Sequence, residues 1–480
     1  MVIVAVSKAT LSFYRVYMHP LSKFPGPDEA AVSRDWQRSV VMEGHPELTY
    51  EQLHEKYNKK AIRIAPNELH ISDVNLYKTI YRQGSPYLKD PAFYAGFGEP
   101  TSLFPDVDQQ RHKQLRKIMN PMFSKGTINK YEILIKEQLQ LLTDKLRRLS
   151  AEGPVEMHKA FKCFTGDVIG GIAFGRPIGL INESPNTFDA SLLRRMEAIM
   201  EVPIRMRYSQ IMKILSLITP EKIACMLDEN VGVYFELRDA SFAIECLHQS
   251  KNRASPSPYP ILFDELNSLP EHIQRTEAGD LLVAALDTVA FTLSTALFHM
   301  SANPKIQERL RALLKEQIPD KSQILPLREL EQIDYLYACV KEAIRVGSGI
   351  PGSLPRVVPK NAPPLVVDDQ IVPPGTIVNM SAHIMNFSKE LWGDDAHVFN
   401  PDRWTDGKGK SLEQNLHSFS KGTRQCIGIN LAYAEIFIAL AYLIRNFRIT
   451  TKTTEWQGVD RFTYQAPSSG LVMNVEPIED

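Results

Sequence analysis

Phe419-Ser420-Lys421-Gly422-Thr423-Arg424-Gln425-Cys426-Ile427-Gly428 places one cysteine among glycines and a cation, just ahead of an apolar run. The run from Ile427 to Phe447 reads as a helix with Cys426 at its N-terminal end. A free thiol titrates at roughly 8.5, so a thiolate at neutral pH needs a metal, backbone N–H groups or the positive end of a helix beside it. Gly422 permits a turn that most residues cannot make, and Gly428 lets backbone approach a flat ligand closely. Arg424 can pair bidentately with a carboxylate. The arrangement suits a thiolate facing a metal; the plainer alternative is a structural cysteine in a turn.

The pattern Phe-x-x-Gly-x-Arg-x-Cys-x-Gly, carried by Phe419, Gly422, Arg424, Cys426 and Gly428, resembles the haem-binding loop of the cytochrome P450 family. The resemblance implies haem b, with the Cys426 thiolate ligating iron and its electron donation favouring O–O cleavage. Glu342-Ala343-Ile344-Arg345 puts a carboxylate and a guanidinium on one helix face, which alone is usually a solvated ion pair. Together with Phe399-Asn400-Pro401-Asp402-Arg403-Trp404 it is similar to the family's Glu-Arg-Arg triad, here Glu342, Arg345 and Arg403. That triad implies a buried charge cluster beneath the haem, costly to break once formed.

Ala284-Ala285-Leu286-Asp287-Thr288 resembles the family's oxygen-activation motif, with Ala285 where glycine is usual. The resemblance makes Asp287 and Thr288 the proton-delivery residues: a hydroxyl holds oxygen and a water, and an adjacent acid connects to bulk solvent. The alternative is a core helix whose threonine bonds back to its own carbonyls. Arg111-His112-Lys113-Gln114-Leu115-Arg116-Lys117 is similar to the helix that holds a haem propionate, with His112 in the aromatic place and Arg116 as the cation. Arg356 and Arg424 match two further propionate ligands by the same resemblance. Lys113 and Lys117 are either a solvated face or a dock for an acidic reductase.

A net charge of −1 over 480 residues gives no argument for nucleic acid. Cys163, Cys225, Cys246, Cys339 and Cys426 are few, odd in number and widely spaced, which argues against a disulfide framework or structural zinc. Met1 to Val6 is apolar, but Lys8 and Arg15 interrupt before the roughly 20 residues that span a bilayer. Phe13 to Pro27 is similar to the basic, proline-rich hinge that follows the membrane anchor in fungal members of the family. Residues 1–20 are therefore expected to be a short apolar and basic segment, either the remnant of an anchor that holds the membrane only peripherally or the result of a start drawn too late, and 21–480 the catalytic domain.

Short strands are predicted at Ala61 to Ile64 and Glu68 to Ile71 around Pro66-Asn67, and at Leu354 to Met380 with a turn at Asp368-Asp369. A last strand pair is predicted within Phe462 to Val475, around Pro467-Ser468-Ser469-Gly470. A long apolar helix is predicted from Ile273 to Ala302, spanning about 45 Å. The fold class is mainly α with a small β-rich subdomain. Phe93, Tyr94, Phe97 and Phe104 fit an aromatic loop over a pocket, and Met212 to Ile218 a lid touching membrane. By family position, Ile350 to Ser353 and Ala466 to Gly470 would also border the pocket.

The resemblance covers nearly the whole chain, and Arg63-Ile64-Ala65-Pro66-Asn67-Glu68-Leu69-His70-Ile71 is similar to fungal members of the trichodiene-oxygenase-like group. It implies a monooxygenase inserting one atom of O2 into an apolar terpenoid or polyketide intermediate by hydroxylation or epoxidation. It further implies a monomer on the cytosolic face of the endoplasmic reticulum, with electrons from NADPH through a separate flavoprotein (FAD/FMN) reductase. Two other readings keep the fold: an isomerase or dehydratase that needs no reductase, disfavoured by the intact Asp287-Thr288 pair, and a non-catalytic haem-binding ligand sensor.

Overall fold

The computed structural model describes residues 2–97, 101–197, 223, 226, 257–405, 407 and 409–479. Met212 to Ile218, expected as a lid, lies outside the described residues. Pro66-Asn67 reverses the chain as expected, and Ala61–Ala65 pairs antiparallel with Glu68–Ile71. Ile377–Asn379, Arg356–Val357 and Leu88–Lys89 complete a five-stranded sheet in that order. The last pairing sets Lys89 opposite Arg356, so that two cations leave the sheet edge together. Asp368 and Asp369 both take positive φ (50° and 61°), as a two-residue hairpin turn between Leu365–Val367 and Gln370–Val372 requires. The Asp368 carboxylate accepts from the Lys60 and Ala61 N–H groups at 3.2 and 3.0 Å, tying this hairpin to the sheet.

The predicted long helix runs over Glu271–Ala302 and ends where Pro304 opens the next helix at its first position. It is called the distal helix below. It packs on the helix Met157–Phe174, in which Gly166 makes room for Leu180: an added Cβ would lie 2.5 Å from Leu180 Cδ1. The Thr165 hydroxyl crosses that contact to the Leu286 carbonyl at 3.0 Å. The distal helix and the helix Ile429–Asn446 are both apolar enough to cross a membrane, but 72% and 83% of their apolar windows are buried inside the protein. They are core helices.

The expectation of one terminal strand pair is corrected. Thr463–Gln465 pairs with Val459–Arg461, whereas Val472–Pro477 pairs with Phe447–Thr451 and Val155–Glu156 in another sheet. The reason lies at Phe462, which adopts φ 81° with its N–H on Asp460 Oδ1 at 2.7 Å and so closes a hairpin before the proline segment begins. The Pro467–Gly470 turn then serves as a crossover between sheets.

His54 Nε2 and His70 Nδ1 are 2.8 Å apart beneath the first hairpin. Burial holds His54 down at about 4, and His70 well below its ordinary value. Because both folded-state values are depressed, the unfolded chain binds protons first as pH falls below about 6.5. Their stabilising contribution is therefore complete at neutral pH and is lost progressively toward pH 4. Urea denaturation should show a lower midpoint at pH 5 than at pH 7, and the His54→Gln/His70→Gln variant should narrow that gap. An unchanged gap would remove the pair from the acid response.

Candidate active site

A cavity of about 370 Å³ lies between the distal helix and the cysteine loop. Tyr94, Phe97, Phe104 and Phe462 form an aromatic end to it, with Phe97 and Phe462 edge to face at 4.5 Å between ring centres. Phe93 points to a neighbouring, smaller pocket instead. Ile350 and Gly352 border the cavity as expected, but Ala466 to Gly470 do not. That side of the wall is made by Arg461, Phe462 and Thr463, because the positive-φ turn thrusts the hairpin tip inward.

The cysteine loop is built from backbone. The Cys426 N–H donates to the Phe419 carbonyl at 3.0 Å, and the Gln425 N–H to Gly422 O at 3.1 Å. Gly422 has φ 72°, and a Cβ there would sit 2.2 Å from the Tyr81 carbonyl oxygen, so no side chain fits. Gly428 is the residue before the helix Ile429–Asn446, and a Cβ on it would approach only Cys426 Sγ, at 3.9 Å. The cysteine is open to the cavity yet deep in the protein. Burial pushes its thiol up, against the opposing pull of the Gly428 N–H and the Arg116 charge. A cation at the sulfur would reverse that balance.

Around the same cavity, Arg116, Arg356 and Arg424 spend their hydrogen bonds on neutral groups. Arg116 donates to Gln425 O at 2.5 Å, Arg356 to the Tyr94 hydroxyl at 2.9 Å, and Arg424 to Asp106 O at 2.7 Å. Among the described residues none of the three is ion-paired with a carboxylate. His112 is 3% exposed and its Nδ1 has no partner. Burial and then the Arg424 charge hold its imidazole down at about 3, and burial and then Arg356 hold Arg424 at about 10. Cations drawn partly or wholly out of water without an ion-pair partner are costly. A planar group bearing two carboxylates, as haem does, answers this charge while presenting its metal to Cys426. The residues fit that group.

Glu342, Arg345 and Arg403 meet as expected, and not as a solvated pair. Arg345 is bidentate on Glu342 at 2.8 and 2.7 Å, with both side chains 0% exposed, and Arg403 Nε reaches the same carboxylate at 3.0 Å. Trp404 Nε1 and the Asn400 N–H complete the carboxylate's acceptor set at 2.9 and 2.8 Å. Burial pushes the Glu342 carboxyl up, but its two guanidiniums outweigh that and hold it below the ordinary range. Arg345 also donates to the carbonyls of Asn386, Ala396 and Val398. The cluster thereby fixes the irregular chain that leads to the cysteine loop.

The family model described as Cytochrome P450 matches residues 37–475. The chain belongs to the cytochrome P450 family. Among its relatives, the cytochrome P450 monooxygenase sdnE of Sordaria araneosa is 32% identical over 94% of this chain and 91% of its own length. The fusicoccadiene C-8 hydroxylases of Alternaria brassicicola and Phomopsis amygdali are 32% and 30% identical, each over 90% of this chain and 85% of their own. The P450 expected from the cysteine loop is thus an oxidoreductase of the haem-thiolate monooxygenase class.

In this P450 the Ala284–Thr288 motif divides between two faces of the distal helix. Ala284, Ala285 and Thr288 line the cavity. The Thr288 hydroxyl donates back to Ala284 O at 2.9 Å. Asp287 does not line the cavity: it is 2% exposed and held by Lys162 Nζ at 3.0 Å, Gln465 Nε2 at 2.7 Å and the Thr463 hydroxyl at 3.1 Å. Burial raises its carboxyl, but Lys162 and Gln465 pull it below the ordinary range. Lys162, itself 1% exposed, lies 3.7 Å from Glu197, whose side chain is 55% exposed. A charged path therefore leads from behind Thr288 to the surface.

Sequence reasoning missed Lys89, Glu277 and Asp280, which all line the cavity. It also missed Gly349, which packs directly on Thr288: a Cβ there would lie 2.5 Å from Thr288 Cβ and 2.6 Å from its Cα. Neither contact can relax without moving the distal helix. Gly349→Ala should destabilise the fold by ~1–3 kcal/mol, whereas Gly279→Ala, within the distal helix and with nothing within 4 Å, should stabilise it. Thermal unfolding of the two variants checks this; equal melting temperatures would mean the Gly349 contact is not tight.

Proposed function

We propose that this P450 oxidises a terpenoid or polyketide intermediate of fungal secondary metabolism, by hydroxylation or epoxidation, with electrons from NADPH through a separate flavoprotein reductase. The substrate class rests on the relatives, which include two fusicoccadiene hydroxylases at 30% identity or above. The reading is carried above all by the Cys426 sulfur opening onto the same cavity as three arginines that lack carboxylate partners.

Haem bound there, with Cys426 as its iron ligand, would supply the reductive activation of O2 and the transfer of one oxygen atom. The chain's own residues do the rest. Arg116, Arg356 and Arg424 would hold and neutralise the haem's carboxylates, with His112 as an uncharged hydrogen-bond partner. Gly422 lets the loop fold against Tyr81, which fixes where the sulfur points. Thr288 keeps acceptor capacity on its hydroxyl oxygen and can hold a water at the cavity wall. Asp287 relays protons toward that water from behind the helix, through the Lys162–Glu197 path. The apolar wall of Leu281, Val283, Val289 and Phe104 excludes other water.

Exposed Lys113 and Lys117, on the helix that carries Arg116, suit docking of an acidic reductase. Phe13, Tyr17 and Met18 are 59%, 68% and 66% exposed, and this apolar strip suits peripheral contact with the endoplasmic reticulum membrane at its cytosolic face.

Comparative metabolite profiling of the producing organism with and without the gene, under isotopically heavy O2, tests the reading. One product should vanish, a precursor lacking one oxygen should accumulate, and the product should carry the label. A lost product and accumulated compound of equal oxygen content would make rearrangement the better description.

A further inference from the structure

Of the charged residues that line the cavity without a place in the chemistry above, three lie together at one end. Glu277 and Asp280 sit one turn apart on the distal helix, on the face that continues through Ala284 to Thr288. Each carboxyl has one oxygen engaged. The Leu103 N–H donates to Glu277 Oε1 at 2.5 Å, and the Ser102 hydroxyl donates to Asp280 Oδ2 at 2.5 Å. Among the described residues Glu277 Oε2 and Asp280 Oδ1 have no hydrogen-bond partner, although Glu277 is only 1% exposed. Lys89 is the third. It is 6% exposed, donates to Phe104 O, and lies 4.1 and 4.6 Å from the ring centres of Tyr94 and Phe104.

Around the two carboxyls the wall is mainly apolar, with Phe97, Leu103, Leu281 and Val283. A hydrocarbon filling it would strip water from two carboxyl oxygens and return nothing, which disfavours binding. We propose that Glu277 and Asp280 are a polar anchor for a neutral hydroxyl group of the substrate, so that this P450 takes an already oxygenated alcohol rather than a bare hydrocarbon. The proposal rests on the monooxygenase reading and narrows its substrate class.

An alcohol matches the pair chemically. Burial and then the Asp280 charge push Glu277 up to about 8, and burial raises Asp280 to about 6. At neutral pH one carboxyl is thus a donor beside an ionised acceptor, and a hydroxyl can satisfy both. A carboxylate would meet like charge at Asp280. An ammonium would enter a site where burial and the Arg424 and Arg356 charges already disfavour the cationic form of Lys89. Asp280 lies eight residues before Thr288, about 12 Å along the helix. The hydroxyl therefore marks the far end of a rigid skeleton from the carbon that is oxidised. The reaction that supplies the substrate must have installed that oxygen, as an earlier hydroxylation or a water-quenched cyclisation does.

Four probes share one tricyclic skeleton and differ at one carbon: dehydroabietane, dehydroabietinol, dehydroabietylamine and dehydroabietic acid. Each is titrated into the holoprotein, with binding read from the Soret spin-state shift and, independently of haem, from thermal shift. The alcohol should bind at least about tenfold tighter than the hydrocarbon, the amine and the acid. In Asp280→Leu, the alcohol-to-hydrocarbon ratio should fall to within about threefold. Equal affinities, no binding of any probe, or a preference for the amine or acid overturns the anchor. If the leucine variant does not fold, the wild-type ranking decides alone. A protein whose reduced carbon monoxide complex lacks the thiolate-type Soret band overturns the underlying monooxygenase reading, and the anchor with it. That outcome is distinct from equal affinities on an intact haem-thiolate protein.

Discussion

Three guanidiniums around one cavity, Arg356 buried and Arg116 and Arg424 half-buried, with no ion-paired carboxylate among the described residues, are the constraint on which the rest of the structure turns. Arg116 comes from a helix, Arg356 from the edge of the sheet, and Arg424 from the cysteine loop. Mutual repulsion and desolvation oppose bringing them together. Backbone carbonyls and a phenol hold them in place, and an anionic planar group in the cavity would turn that opposition into binding energy. The same charge steadies a thiolate at Cys426, so anion and metal sites reinforce each other.

What keeps these pieces in register is the Glu342 cluster. It is fully buried and saturated, with two guanidiniums, an indole and a backbone N–H on one carboxylate. Removing any one partner would leave buried charge unanswered, a loss of ~3–5 kcal/mol by the usual scale. Because Arg345 also caps three carbonyls of the irregular chain before the cysteine loop, local stability and cofactor geometry are one property here. On the opposite wall, the Gly349–Thr288 contact plays a smaller version of the same role.

The sequence was most readable where function is local. The cysteine loop, the Pro66-Asn67 hairpin and the stop before Pro304 each depend on a few adjacent residues whose backbone needs are stereotyped. Thr288 and Asp287 divide their expected roles between two faces, since neighbours are about 100° apart on a helix: the threonine lines the cavity and the acid connects outward. The structure accordingly puts Asp287 behind the helix. Glu277, Asp280, Ala284 and Thr288 do share a face by spacing, but a helix apolar all round hides such a stripe. The terminal strands were misassigned because positive φ at Phe462 is unfavourable for a bulky residue and leaves no compositional signal. Lys89 was unreadable for another reason: only the sheet pairing brings it beside Arg356.

The most direct test of this account is the absorption spectrum of the reduced protein under carbon monoxide, for wild type and Cys426→His. The wild type should show the strongly red-shifted Soret band of a thiolate-ligated haem, and the variant should show a band at shorter wavelength. A wild-type protein without the red-shifted band, or a variant that retains it, would contradict Cys426 as the ligand and the cavity as a haem-thiolate site.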